Sequence, residues 1–247
     1  MELETKNTSS IKPKRKGKAK WLFQGVLWLM LVAAGTSVLV TISYRWINPP
    51  SSLLMVERYF FTKQTRFNPI NKQWCNINSI SPHMIQAVVA AEDNLFTSHY
   101  GFDFEAIKKV QKERLSGKRV RGASTISMQV AKNTFLWSER TWTRKVLEAG
   151  FTVLIETFWS KRRIMEVYLN VAEFGPSIYG VKAAALHYYK KQPHELTPNQ
   201  AAMLATILPS PLNRNPLKPT KYMQTYQQRV LRNMQNIGKV NLLKPKY

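Results

Sequence analysis

The chain has 247 residues, with 37 Lys and Arg against 14 Asp and Glu, for a formal net charge of +23. That length suits one sizeable domain plus an anchor, and the charge favours anionic partners: nucleic acid, anionic headgroups or phosphate-bearing substrates. A single cysteine, Cys75, excludes an intrachain disulfide and any CxxC metal pair. Eleven of the 14 acids lie from Glu92 to Glu195 and none follows, so the middle of the chain holds nearly all the carboxylates available for chemistry.

Six cations fall between Lys12 and Lys20, and then 23 positions from Trp21 to Ser43 carry no charge. At ~1.5 Å per residue that run makes about 35 Å of helix, enough to cross a hydrocarbon core of ~30 Å. Trp21, Trp28, Tyr44 and Trp46 suit interfacial anchors. The basic run before the span predicts the N-terminus inside and the rest outside. A cleaved signal peptide is the rival, but its apolar core would be shorter and would end in a small-residue site that is not seen here. The basic run could also be a nucleic-acid arm; its position against the span makes the topogenic reading simpler. Asn48-Pro49-Pro50 breaks the helix, and residues 53–80 read as an irregular segment with scattered aromatics and cations.

From Ser81 onward helical signals dominate. Ser81-Pro82 is a helix start, with Ile85, Val88 and Val89 at helical spacing. Glu92 falls on that apolar face. Either the helix ends near Ala91 and Glu92 is a solvated terminus, or the carboxylate is partly desolvated and a candidate general acid or base. A second helix follows Asp103 and runs to Leu115. Residues 116–122 read as a basic turn bounded by two glycines. A helix starts near Ser124 or Thr125 and runs toward Phe135. Thr141 caps a long helix to Phe158 whose apolar face is Leu147, Phe151, Leu154 and Phe158. Ser160 caps another, with Ile164, Val167, Tyr168 and Val171. Gly175 to Gly180 is a turn before a short helix to Tyr189. Thr197-Pro198-Asn199-Gln200 is a capping box, opening a helix that Pro209 ends. The last helix runs from about Thr220 to Ile237, with Met223, Tyr226, Val230 and Met234 as its stripe and Gly238 as its stop.

The chain lacks an HExxH pair, a P-loop, and a GxGxxG after a strand. Its only SxxK, Ser9 to Lys12, lies in the tail before the span, so a penicillin-binding acyl-transfer site is not expected. What remains is a carboxylate system among cations. Arg144 and Lys145 lie four and three residues before Glu148, which by itself reads as ordinary helix pairing. Gln129 and Lys132 share one face of the preceding helix. Lys132, Arg140, Arg144 and Lys145 together form a candidate cradle for phosphate. A carboxylate base beside a diphosphate-binding cluster is what glycosyl transfer from a lipid diphosphate needs.

Four motifs then stand in order. EDNLFTSHYG (Glu92 to Gly101) resembles the EDxxFxxHxG motif of the family 51 peptidoglycan glycosyltransferases. GASTISMQ (Gly122 to Gln129) is similar to their GxSTIxQQ, Arg144 to Glu148 to RKxxE, and KRRIMEVYLN (Lys161 to Asn170) to KxxILExYLN. The resemblance implies a mainly α, lysozyme-like fold of two lobes behind a single N-terminal transmembrane helix. The expected division is a cytoplasmic basic tail over 1–20, a transmembrane helix over 21–43, a juxtamembrane segment over 44–80, the glycosyltransferase domain over 81–240 and a tail over 241–247.

The same resemblance implies roles. Glu92 would be the base and Glu148 the second catalytic glutamate, holding a divalent cation, magnesium or manganese. Asp93, Ser124, Gln129, Lys132, Arg140, Arg144 and Lys145 would bind substrate, with Asp93 in support of the motif and Arg144 and Lys145 partly structural. Phe96, His99, Glu166 and Asn170 would be structural. Met128 stands where the family usually has Gln, so an amide is lost there. The implied activity is polymerisation of lipid II into glycan strands, without transpeptidation and without an organic cofactor. The implied setting is the cell inner membrane, catalytic domain periplasmic. Expected partners are lipid II, the growing strand, membrane lipids and other cell-wall synthases, with no nucleic acid. Two rivals are a lysozyme-like hydrolase, which needs no diphosphate cradle, and a basic membrane-tethered scaffold.

Overall fold

The computed structural model describes residues 16–61, 73–117 and 122–243, which form ten helices and one small hairpin. The chain divides into two units, residues 1–40 and 41–247. Helix α1 (Lys16–Ser43) provides the described part of the first unit. Its stretch Lys20–Ser43 has a mean hydropathy of 2.1 and is long and apolar enough to cross a membrane. Trp21, Phe23, Trp28, Leu31 and Leu39 lie exposed along it.

The second unit is built from two helix groups. In the first, α3 (Pro82–Glu92) packs on α9 (Pro198–Ile207) and α10 (Lys221–Ile237). In the second, α5 (Ile126–Phe135) packs on α6 (Trp142–Phe158) and α7 (Lys161–Val171), with α2 (Leu53–Phe61) laid against α5. Helices α4 (Phe104–Leu115) and α8 (Val181–Tyr189) complete the set. Seven helix starts fall where the sequence places them, because each of these has an acceptor side chain at its cap. Ser81, Asp103, Thr125, Thr141, Ser160, Thr197 and Thr220 each accept a backbone N–H from the first turn. Thr197 and Gln200 form the full capping box. Gly238, with φ +62°, ends α10.

Three local expectations change. Residues 53–80, expected to be irregular, carry α2 and a short 3₁₀ turn at Ile77–Ser79, and Met55, Cys75, Ile77 and Ile80 are core residues. The turn from Gly175 to Gly180 contains an antiparallel hairpin, β1 (Glu173–Gly175) with β2 (Ile178–Tyr179), too short to show alternation in sequence. Gly180, at φ +83° and ψ +153°, then turns the chain into α8 in a conformation essentially reserved for glycine. Of the basic turn over 116–122, residues 118–121 lie outside the described residues, as do most of the basic tail and residues 244–247.

The third change concerns α6. Its expected apolar face is half-buried or exposed, with Leu147 at 44% exposure. The buried face is instead Arg144, Glu148, Thr152, Ile155 and Glu156. Two ion pairs make that possible, since a buried charge persists only with a partner. Arg144 Nη1 donates to Glu148 Oε2 at 2.6 Å, and Lys161 Nζ donates to Glu156 Oε1 at 2.8 Å. Ser127 Oγ donates to the same Glu156 oxygen, and Lys161 Nζ lies 4.6 Å from the centre of the Phe96 ring. One buried ionic knot thus ties α5, α6 and α7 to the loop after α3.

Candidate active site

Glu92 is the last residue of α3, and Asp93 is its C-cap. Glu92 is half-buried, so it is neither a core carboxylate nor a freely solvated terminus. Gln129 Nε2, from α5, donates to Glu92 Oε2 at 2.8 Å. Tyr168 of α7 donates its hydroxyl to Gln129 Oε1 at 3.2 Å, which fixes the amide orientation. Burial, then the negative charge of Glu92, pushes the Tyr168 hydroxyl well above its ordinary pKa, so it stays a donor. Side chains of α10 hold the last turn of α3. Tyr226 donates to Ala91 O at 3.2 Å and Asn233 to Ala90 O at 3.2 Å, while Gln86 of α3 donates to Met234 O and Gly238 O of α10. The bonds to Ala90 O and Ala91 O take carbonyls that the end of α3 leaves without intrahelical donors.

Asp93 does not line the cavity beside Glu92. It is buried, at 7% exposure. Its Oδ2 accepts from Ile126 N, the first residue of α5, at 3.0 Å, and its Oδ1 meets His99 Nε2 at 2.9 Å. It thereby fixes the N-terminus of α5 against the C-terminus of α3, and with it the position of Gln129 relative to Glu92. Phe96 is fully buried, and Asn170 bonds both the N–H and C=O of Cys75. Glu166 accepts from Trp74 Nε1. All three are structural here, as the resemblance implies.

The cavity, of about 620 Å³, is lined by residues of α2, α5, α6, α7, β1 and the loop after α9. It brings together Ser124, Gln129, Lys132, Arg140, Arg144, Lys145 and Glu148. Glu92 meets it through Gln129. Met128 lines it as a nearly buried apolar side chain, so the amide usual at that position has no counterpart.

Glu148 is buried, at 3% exposure, and both its oxygens are bonded to cations. Arg144 takes Oε2 at 2.6 Å and Lys145 takes Oε1 at 2.5 Å, while Arg144 Nε also donates to Glu139 O. This donor set does not fit a resident metal: its one carboxylate already serves two cations. No group of three His, Cys, Asp or Glu suited to a metal occurs among the described residues. Anions are what the site suits. Burial pushes the Lys132 ammonium below its ordinary pKa; Glu148 pulls it back up, and Arg144, Lys145 and Arg140 push it down again. An arriving dianion would relieve that crowding. The form of Lys132 that binds anions is lost as pH rises through its lowered pKa. The KM for an anionic substrate is therefore expected to climb at a lower pH than an ordinary lysine, near ~10.4, would give. Lys132→Arg, which stays charged, should move that limb upward. Coincident alkaline limbs in the two proteins would contradict this.

Sequence reasoning missed several polar residues of the cavity wall, among them Arg58, Arg114, Asn133 and Glu173. Glu173 carried one signal: it is a lone carboxylate inside the otherwise apolar run from Val171 to Phe174.

A half-buried carboxylate held by an amide thus stands beside a cavity rich in cations, on a scaffold built of helices. The family model described as transglycosylase matches residues 61–235. The chain is 45% identical over 224 residues to the biosynthetic peptidoglycan transglycosylase of Xanthomonas campestris pv. campestris (strain B100), covering 90% of this chain and 91% of that one. It is also 45% identical to the proteins of that name from Rhodospirillum centenum, over 82% of this chain and 87% of that one, and Xylella fastidiosa (strain 9a5c), over 86% and 88%. The chain belongs to the transglycosylase family, glycosyltransferase family 51, with the monofunctional biosynthetic peptidoglycan transglycosylases.

Proposed function

We propose that the protein polymerises lipid II into linear peptidoglycan strands by inverting glycosyl transfer, with release of undecaprenyl diphosphate and no transpeptidation. The observation that carries this reading is Glu92 held by Gln129 at the edge of a cavity lined by Lys132, Arg140, Arg144 and Lys145. Glu92 takes the proton from the 4-hydroxyl of the acceptor, lipid II. That oxygen attacks C1 of the growing strand from the face opposite the diphosphate. The C1–O bond to the diphosphate breaks, and its electron pair leaves with the phosphate oxygen. The cations of the cavity stabilise the departing charge. Glu148 keeps Arg144 and Lys145 in place for that task. Purified protein given lipid II should form glycan polymer. Release of fragments from finished glycan, with no polymer from lipid II, would instead favour a hydrolase. Running the assay with and without magnesium or manganese tests the divalent cation that the family resemblance implies.

The basic run from Lys12 to Lys20 and the apolar span that follows it support a single-pass inner-membrane protein with its N-terminus cytoplasmic and its domain periplasmic. Membrane lipids, and other cell-wall synthases, are its proposed partners there. A reporter fused after Tyr247 should be active only in the periplasm; activity confined to the cytoplasm would put the domain on the wrong side for this substrate.

A further inference from the structure

The cavity has a second polar station that the steps above leave unused. Glu173 of β1 lines it beside Ala172 and Tyr168, and is 93% removed from solvent at 7% exposure. Its Oε1 is buried with no close hydrogen bond, while the carboxylate has the Tyr179 hydroxyl as a hydrogen-bonding neighbour. Its Oε2 faces Arg58 Nη2 of α2 at 3.9 Å, too far for a hydrogen bond. The Arg58 Nε is also buried without an acceptor. A buried carboxylate is normally fully bonded, and this one meets its facing cation only beyond hydrogen-bond reach, which leaves acceptor capacity for a ligand. We propose that Glu173, with Arg58 opposite, is a sugar-reading subsite of this cavity: the carboxylate accepts hydrogen bonds from a hydroxyl or acetamido N–H of a bound N-acetylated hexosamine.

The chemistry of the two stations is complementary. An ionised carboxylate only accepts, so it selects O–H and N–H donors. It also repels phosphate, which the cations around Glu148 attract. A substrate with a diphosphate at one end and sugar hydroxyls at the other is thereby aligned in one direction, by attraction at one station and rejection at the other. Burial raises the pKa of Glu173 above its ordinary value, and Arg58 and the neighbouring Tyr179 hydroxyl offset that rise only in part.

The subsite rests on the lipid II reading, and the test separates the two. Steady-state kinetics on lipid II would compare wild type with Glu173→Gln and Glu173→Leu, alongside thermal unfolding. Glu173→Gln nearly preserves shape, so it keeps the test decisive if Glu173→Leu fails to fold. A rise in KM of about threefold to tenfold is expected for Glu173→Gln, from losing a hydrogen bond to a charged group, with kcat within about twofold. Glu173→Leu should raise KM further. Wild type that polymerises lipid II while Glu173→Gln shows an unchanged KM would overturn the subsite alone. The same holds if kcat falls and KM does not, since the loss would then lie in the transition state and not in binding of the sugar. Wild type that makes no polymer would overturn the parent reading and the subsite with it.

Discussion

Glu92→Gln is expected to lower polymerisation of lipid II by about 10²–10⁴-fold, the usual worth of a positioned general base. The variant isolates the proton-accepting role. Gln has the same length, and its amide oxygen can still accept from Gln129 Nε2, so the contact that positions the side chain survives. The backbone around it is held independently, by Tyr226 and Asn233 on the last turn of α3 and by Asp93 on α5. Thermal unfolding should therefore match wild type, and KM should change far less than kcat. Normal polymerisation by the variant would remove Glu92 from the role of base. A matching loss of folding stability would mean that the carboxylate serves the structure instead.

The second large effect is on stability. Glu148→Ala leaves Arg144 buried with its carboxylate partner gone, and breaking a buried pair in this way costs about 3–5 kcal/mol. Most of that belongs to Arg144, whose side chain is 9% exposed; Lys145, at 41%, is well screened and adds little. A combined Arg144→Met and Glu148→Leu change removes both charges, and should recover much of the stability while leaving the enzyme inactive. Equilibrium unfolding of the three proteins checks this. A Glu148→Ala protein as stable as wild type would show that the pair does not hold α6 in place. A double variant that polymerises lipid II would show that this pair is not part of the cation cradle.

What the sequence disclosed, and what it hid, divides along one physical line. Helix starts were legible because a capping oxygen is a local device, read from a few adjacent residues, and Ser81, Thr141 and Thr197 show it. The Glu92 to Gly101 and Arg144 to Glu148 motifs were legible because their spacing reflects chemistry done within one turn or loop. The buried face of α6 was not. Periodicity assigns apolar residues inward, yet Arg144, Glu148 and Glu156 are buried by partners on the same helix and on α7, and pairing at that distance leaves no apolar signal. Asp93 reads in sequence as a substrate-side residue in support of the Glu92 motif, but that its support goes to the Ile126 N–H of α5 is set by the chain reversal alone. Arg58 and Glu173 lie in segments far apart in the sequence, and their meeting is a property of the fold alone.

The brace on the end of α3 has a consequence for how the protein comes to be active. Gln86 bonds to carbonyls 148 and 152 positions further along the chain. Contacts of such separation form only when a large loop closes, at a cost in chain entropy. A chain that has made its helices but not yet docked α10 lacks the brace on the last turn of α3, the turn that carries Glu92. Turnover is therefore a stricter report of complete folding than helix content, and a partly folded population would lose activity well before it lost its circular dichroism.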